Sequence, residues 1–208
     1  MEEENLTLEP NMQAVITEAA QNESGLNGYL FENCAMENIP FENIEFHECV
    51  FRKCRLPSCR ASNTYFCGVR FEDCDLSNLT LSDCCLRQTE LSGCKTVGAG
   101  FPDSVFDGVA FRNCSGRWTN FSGAKLKHAR FEHCGLPGAD FHECEFRSVS
   151  FGSCDLKETE FLHTSLKGMD LRSNEIDGIV LAGPELRGAI VTPPQACSLA
   201  RLLGLIVK

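Results

Sequence analysis

The sequence predicts an all-β fold, a right-handed quadrilateral β-helix closed by a short helix at each end, and three observations predict it. Large apolar residues recur at every fifth position from Leu26 to Val191; of the 34 positions in that series only Ala61, Thr96 and Gly116 are not large and apolar. All 15 phenylalanines fall on the series. Cysteine recurs at every twentieth position, as Cys34, Cys54, Cys74, Cys94, Cys114, Cys134 and Cys154.

Period five belongs neither to a helix, whose apolar face repeats near 3.6, nor to a strand, which alternates with period two. It suits a coil with sides five residues long. The large residue points inward, and so does a small or β-branched one two places before it: Cys49, Cys54, Thr64, Val69, Cys74 and onward to Ala189. Four such sides make one turn, and the cysteine spacing supports a turn of that length independently. Roughly eight turns stacked about 4.8 Å apart make a rod about 40 Å long. A left-handed hexapeptide helix would need period six, which the unbroken register excludes.

The two ends leave the rhythm. In residues 1–25 Asn11 is a candidate N-cap, and Met12, Val15, Ile16 and Ala19 would share one face of a helix covering the first open coil. Residues 26–191 form the β-helix. In residues 192–208 Thr192 can cap a helix with Pro193 or Pro194 in its first turn and Gly204 at its exit. Ala196, Leu199, Ala200 and Leu203 would form its apolar stripe. More apolar surface stands there than one coil end needs, so Leu199, Leu202, Leu203, Leu205 and Ile206 are expected to join two copies tail to tail.

Composition narrows the function. A net charge of −10 and a pI near 5.0 argue against direct binding of nucleic acid or an anionic membrane and favour a basic partner. No apolar run is long enough to span a bilayer. The N-terminus MEEENLTLEP lacks the basic and apolar regions of a secretory signal, so a cytoplasmic protein is expected. The 14 cysteines then read as small buried hydrophobes rather than a disulfide framework, although adjacent coils bring their Cα atoms within disulfide range. Cys67, Cys85 and Cys197 lie off the small-residue register, and the first two should be more exposed.

No catalytic, cofactor or metal site is expected. There is no CxxC pair and no phosphate-loop fingerprint. His47, His128, His133, His142 and His163 all fall at outward positions. The weak stretch of the core series around Thr96, Gly98, Gly100 and Gly116 is expected to deform or kink the coil. Arg117 and Trp118 beside it are candidate contact residues; Trp118 either meets a partner or lies flat over the void left by Gly116.

The stretches CDLSN, ADFHE and AKLKH resemble the A(D/N)Lxx consensus of the pentapeptide-repeat family, and the resemblance extends over most of the chain. Gln195, Ala196, Leu202, Leu203, Gly204 and Val207 are similar to the C-terminal pattern of the quinolone-resistance (Qnr-type) members. The resemblance implies a homodimeric DNA-mimicking rod that binds DNA gyrase or topoisomerase IV and protects it from quinolones or related poisons. Two features depart from that group: no loop interrupts the register, and the acidic N-terminal segment has no counterpart. An adaptor rod for an unrelated protein is the alternative.

Register arithmetic places the charges. The side centred on Phe41, Ala61, Leu81, Phe101, Phe121, Phe141 and Phe161 exposes Glu42, Asp83, Asp103, Asp140, Glu143 and Glu160, with Arg60 its only strong base. The next side, centred on Phe46 and Phe66, carries Arg87, Lys125, Lys127, Arg147, Lys167 and Arg187 among its acids. The acidic side is the expected docking surface for a partner that otherwise holds DNA.

Overall fold

The computed structural model describes residues 6–206, the side chain of Leu203 apart. Its coil arises from one repeated backbone event. At every fifth residue from Glu23 to Gly188, Ser173 excepted, φ is positive and the chain turns a corner. Glycine, asparagine and aspartate tolerate that region best, which accounts for their abundance at these positions. Where a side is a tight turn, the carbonyl of its central residue accepts from the N–H three residues on, as Leu76 does from Leu79 at 3.1 Å and Phe121 from Ala124 at 3.0 Å. Pro57, Pro102 and Pro137 each occupy the second position of such a turn, where a fixed φ suits it.

All strand pairing is parallel and, within the coil, joins each residue to its equivalent one coil on, as in Phe31↔Phe51 and Phe46↔Phe66. The side centred on Phe31 is an eight-stranded sheet running from Thr7–Leu8 to Ser150–Gly152. The side centred on Phe46 has seven strands, from Gly25–Asn27 to Glu145–Arg147. The side centred on Phe41 begins with the three strands Pro40–Glu42, Arg60–Ser62 and Thr80–Ser82, then continues as single bridges through Gly100, Asn120, Asp140, Glu160 and Val180. The side centred on Leu56 is bridged singly from Ala35 to Glu175. This is the four-sided β-helix the sequence predicts.

Phenylalanine columns fill the interior. Phe121 stacks on Phe101 at 5.2 Å and on Phe141 at 4.7 Å, and meets Phe111 and Phe131 edge-on. Both arrangements suit the ring quadrupole. The small position does more than fill space. The Cys54, Cys74, Cys94, Cys114, Cys134 and Cys154 thiols each donate to the carbonyl 23 residues earlier, at 3.2–3.4 Å. Ser104, Thr159 and Thr164 hydroxyls do the same for Leu81, Leu136 and Phe141, each at 2.9 Å or less. Buried carbonyls need such partners. Burial pushes the Cys84 thiol up to about 11 and the Cys144 thiol up to about 12. Cys67 and Cys85 are half-buried and Cys197 is exposed.

The expected kink is absent. The ladder runs unbroken through Lys95, Ser115 and Gly135, and Gly116 N–H donates to Gly135. No void opens at Gly116 either: an added Cβ would lie 2.6 Å from Thr96 Oγ1, 2.7 Å from Thr119 Oγ1 and 2.9 Å from Leu136 Cδ2. The Thr119 hydroxyl donates to the carbonyls of Thr96 and Gly116 at 2.9 and 2.8 Å. Small polar residues replace a large one there without disturbing the register.

Both ends are capped. Helix α1, Met12–Gln21, begins at Asn11, whose side chain accepts from Ala14 N–H, and buries Met12, Ile16 and Ala19; Val15 is half-buried. Ahead of it Thr7–Leu8 pairs with Tyr29–Leu30 and extends the sheet, a strand the sequence pattern does not reveal. Helix α2, Pro193–Ala200, starts from a reciprocal cap between Thr192 and Gln195. Gln195 Nε2 also donates to the carbonyls of Leu171 and Asn174 at 3.0 and 2.9 Å, closing the last coils. Arg201–Leu203 continues as a 3-10 turn that ends at Gly204, φ +75°. The expected stripe is narrower than its spacing implies: Leu199 is buried, Ala200 half-buried and Ala196 exposed.

Candidate docking surface

Carboxylates distribute unevenly around the rod because coil-to-coil stacking decides which of them meet a base. On the Phe31 side arginines neutralise most of them along the axis. Arg52 Nε lies 2.8 Å from Glu72, and Arg112 Nε lies 3.0 Å from Glu132 while its guanidinium also meets Glu90. On the Leu56 side Arg55 pairs with Glu37, Lys95 with Asp75 and Lys157 with Glu175. On the Phe46 side Lys125 meets Glu145 and Lys127 meets Asp107, both at 3.6 Å.

The Phe41 side differs. Among the described residues none of Glu42, Asp83, Asp103, Asp140, Glu143 and Glu160 has a lysine or arginine within ion-pair distance; Glu143 has only His142, at 3.3 Å. Asp140 and Glu160 are bridge partners on successive coils, so they occupy equivalent positions on the flat of the side. Asp83, Asp103 and Glu143 occupy its positive-φ edge. Gly123 interrupts that edge, and the Asp103 carboxylate leans over it into the space a Cβ would need. Glu42 stands apart on the first strand of the side. It accepts weakly from Ser62 and lines a groove with Arg60 and with Thr17, Ala20 and Gln21 of α1. Five of the six acids therefore follow one another along the rod, and the sixth is exposed beside α1.

Arg117 and Trp118 lie on the opposite edge of this side. Trp118 is 60 % exposed, with φ +59°. Its ring does not cover Gly116. It lies over Gly138 on the next coil, where an added Cβ would be 2.8 Å from Cδ1, and the Arg117 guanidinium stands 4.4 Å from the ring centre. Sequence spacing places Trp118 at the edge but not the direction its ring takes; the glycine at the equivalent position of the next coil was the available signal.

At the C-terminal end Leu199 belongs to this chain's own core. Leu202, Leu205 and Ile206 are exposed, Ile206 by 86 %. The side chain of Leu203, and Val207, lie outside the described residues. Among the described residues no cluster of histidine, cysteine and carboxylate has the geometry to hold a metal, and no helix is long and apolar enough to cross a membrane.

The four-sided coil with a five-residue side finds its match among known families. The Pentapeptide repeat region matches residues 64–139 and 125–190, and Pentapeptide repeats (8 copies) match residues 44–83. The chain belongs to the pentapeptide-repeat family. No curated protein matches it. Among solved structures, this pentapeptide-repeat protein is similar to a trypsin-treated form of QnrB1, a plasmid-mediated fluoroquinolone resistance protein. That alignment has 20 % identity, covers 89 % of this chain and 100 % of that one, and has a TM-score of 0.38. It is also similar to HetL, involved in heterocyst differentiation regulation in the cyanobacterium Nostoc sp. strain PCC 7120, at 16 % identity over 80 % of this chain and 89 % of that one, TM-score 0.26. Rfr23 from the cyanobacterium Cyanothece 51142 aligns at 12 % identity over 86 % and 99 %, TM-score 0.26.

Proposed function

We propose that this pentapeptide-repeat protein acts as a DNA mimic that binds DNA gyrase or topoisomerase IV and protects it from quinolones or related poisons. The observation that carries the reading is the acidic side, none of whose six carboxylates meets a lysine or arginine, whereas on the other three sides Glu72, Glu132, Asp75, Glu175, Glu145 and Asp107 among others pair with bases on successive coils. Duplex DNA presents closely spaced negative charge along a straight axis. A rod with an uncompensated acidic side offers a basic DNA-binding saddle the same field, and such complementarity steers association. No bond is made or broken; occupancy alone displaces DNA. The exposed Leu202, Leu205 and Ile206 support tail-to-tail pairing of two copies, which would double the length of the acidic side.

The test is gyrase supercoiling with ciprofloxacin, with and without the protein at micromolar concentration. The wild-type protein is expected to change the drug's effect. The triple variant Asp83→Lys, Asp103→Lys, Glu143→Lys is expected to bind at least tenfold more weakly while keeping its fold by circular dichroism. Undiminished binding by that variant would reject the acidic side as the docking surface. Absence of both rescue and inhibition by the wild-type protein would favour an adaptor rod for another partner.

A further inference from the structure

We propose that Trp118 is the apolar anchor of the acidic side, its indole entering an apolar recess in the partner's basic surface. This inference rests on reading that side as a topoisomerase-docking surface. Trp118 is the chain's single tryptophan and is exposed at a corner where the neighbouring coils carry Asn78, Gly98 and Gly138. Positive φ is common to the corners of the coil, so what sets Trp118 apart is the size and exposure of its ring. The ring fills no gap in the core, because the core at Gly116 is already closed by Thr96, Thr119 and Leu136.

The surroundings hold the indole in one place. Gly138 supplies bare backbone beneath it: an added Cβ would stand 2.8 Å from Cδ1 and 3.1 Å from Nε1. The Arg117 guanidinium, 4.4 Å from the ring centre, braces it in a cation–π contact. Among the described residues Arg117 has no carboxylate partner. Gly138 lies two residues before Asp140, which is bridged to Glu160, so the indole borders the carboxylate row. Arg117 also decides what the ring can receive. A second cation over the same indole would meet the charge already there, so the complementary feature is an apolar recess rather than a lysine. An ordered aromatic loses little freedom on docking, and tryptophan is enriched among the residues that dominate interface energies.

The experiment compares full-length wild-type protein with Trp118→Asn for binding to gyrase and to topoisomerase IV. Asparagine holds the same backbone conformation at Asn78, φ +55°. The wild-type protein is labelled with 5-fluorotryptophan, which gives one fluorine resonance. The expected result is at least tenfold weaker binding by Trp118→Asn, a thermal midpoint unchanged or raised, and a fluorine resonance that shifts on binding. Equal affinity of variant and wild type overturns the anchor and leaves the docking reading standing. Weaker binding with a matching fall in thermal midpoint also overturns it, because the ring is then a structural brace. Wild-type protein that binds neither enzyme removes the docking reading and the anchor together.

Discussion

At the scale of single residues, the five-residue unit assigns one job to each position. The inward aromatic supplies burial, and Phe121 shows how much rests on it. It is fully buried, with stacked neighbours on the coils before and after it and edge-on neighbours, Phe111 and Phe131, on the opposite side. Phe121→Ala removes all of these contacts and leaves a cavity that a rigid ladder closes poorly, so urea unfolding is expected to show a loss of about 3–5 kcal/mol. A loss below about 1 kcal/mol would mean that the coil collapses around the gap. The small position was legible in the sequence as a slot, because Cys, Thr and Ala alternate there. Its donor role was not, since size and hydrogen-bonding capacity are confounded in cysteine. The corner position was less legible still. Its residues range from glycine to Trp118, and only the backbone reveals that they share a positive φ.

Single elements were readable where a cap or a period marked them. Asn11 and Thr192 announce α1 and α2, because an N-cap must precede a helix and its side-chain acceptor is restricted to few residue types. The strand Thr7–Leu8 carries no such mark, being very short and defined only by its partner. The surface around α2 was overestimated because helical spacing counts apolar residues without saying which the coil end consumes; Leu199 is consumed. The last coil has its own acid sensitivity. Burial alone would raise the Glu185 carboxyl, but the backbone N–H groups of Glu185, His163, Gly183 and Ala182 outweigh it and hold it below the usual carboxylate range. His163 and Ala182 N–H donate to it at 3.1 Å each. A depressed carboxyl stabilises the fold above its unfolded value, about pH 4.3, and that contribution is lost as pH falls through the folded value. The thermal midpoint is therefore expected to drop below about pH 4, and Glu185→Gln to flatten that drop while lowering the midpoint at neutral pH. Identical pH profiles for the two proteins would show that the carboxylate does not matter.

For the whole molecule, the architecture followed from periodicity alone, because only a four-sided coil satisfies a period of five and a second period four times as long. The column of acids was readable from residue numbers. Its lack of compensation was not, since ion pairing depends on which side chains on successive coils reach one another. Tail-to-tail pairing belongs to this scale too. Leu205 is 58 % exposed and Ile206 86 %, and covering them against a second copy removes apolar surface from water. Leu205→Asp with Ile206→Asp is expected to halve the sedimenting mass without changing the β-sheet circular dichroism; wild-type protein sedimenting as a monomer at micromolar concentration would dismiss the dimer. The unbroken parallel ladder also governs how such a chain can change in length. Gaining or losing a whole coil keeps the thiol column, the aromatic columns and the carboxylate row in phase and only makes the rod longer or shorter. Gaining or losing a single side preserves the interior but turns everything beyond it by a quarter revolution, dividing the negative stripe between two sides. Insertions and deletions are therefore quantised: the solenoid tolerates steps of one side, whereas a surface that must face a single partner tolerates only whole revolutions.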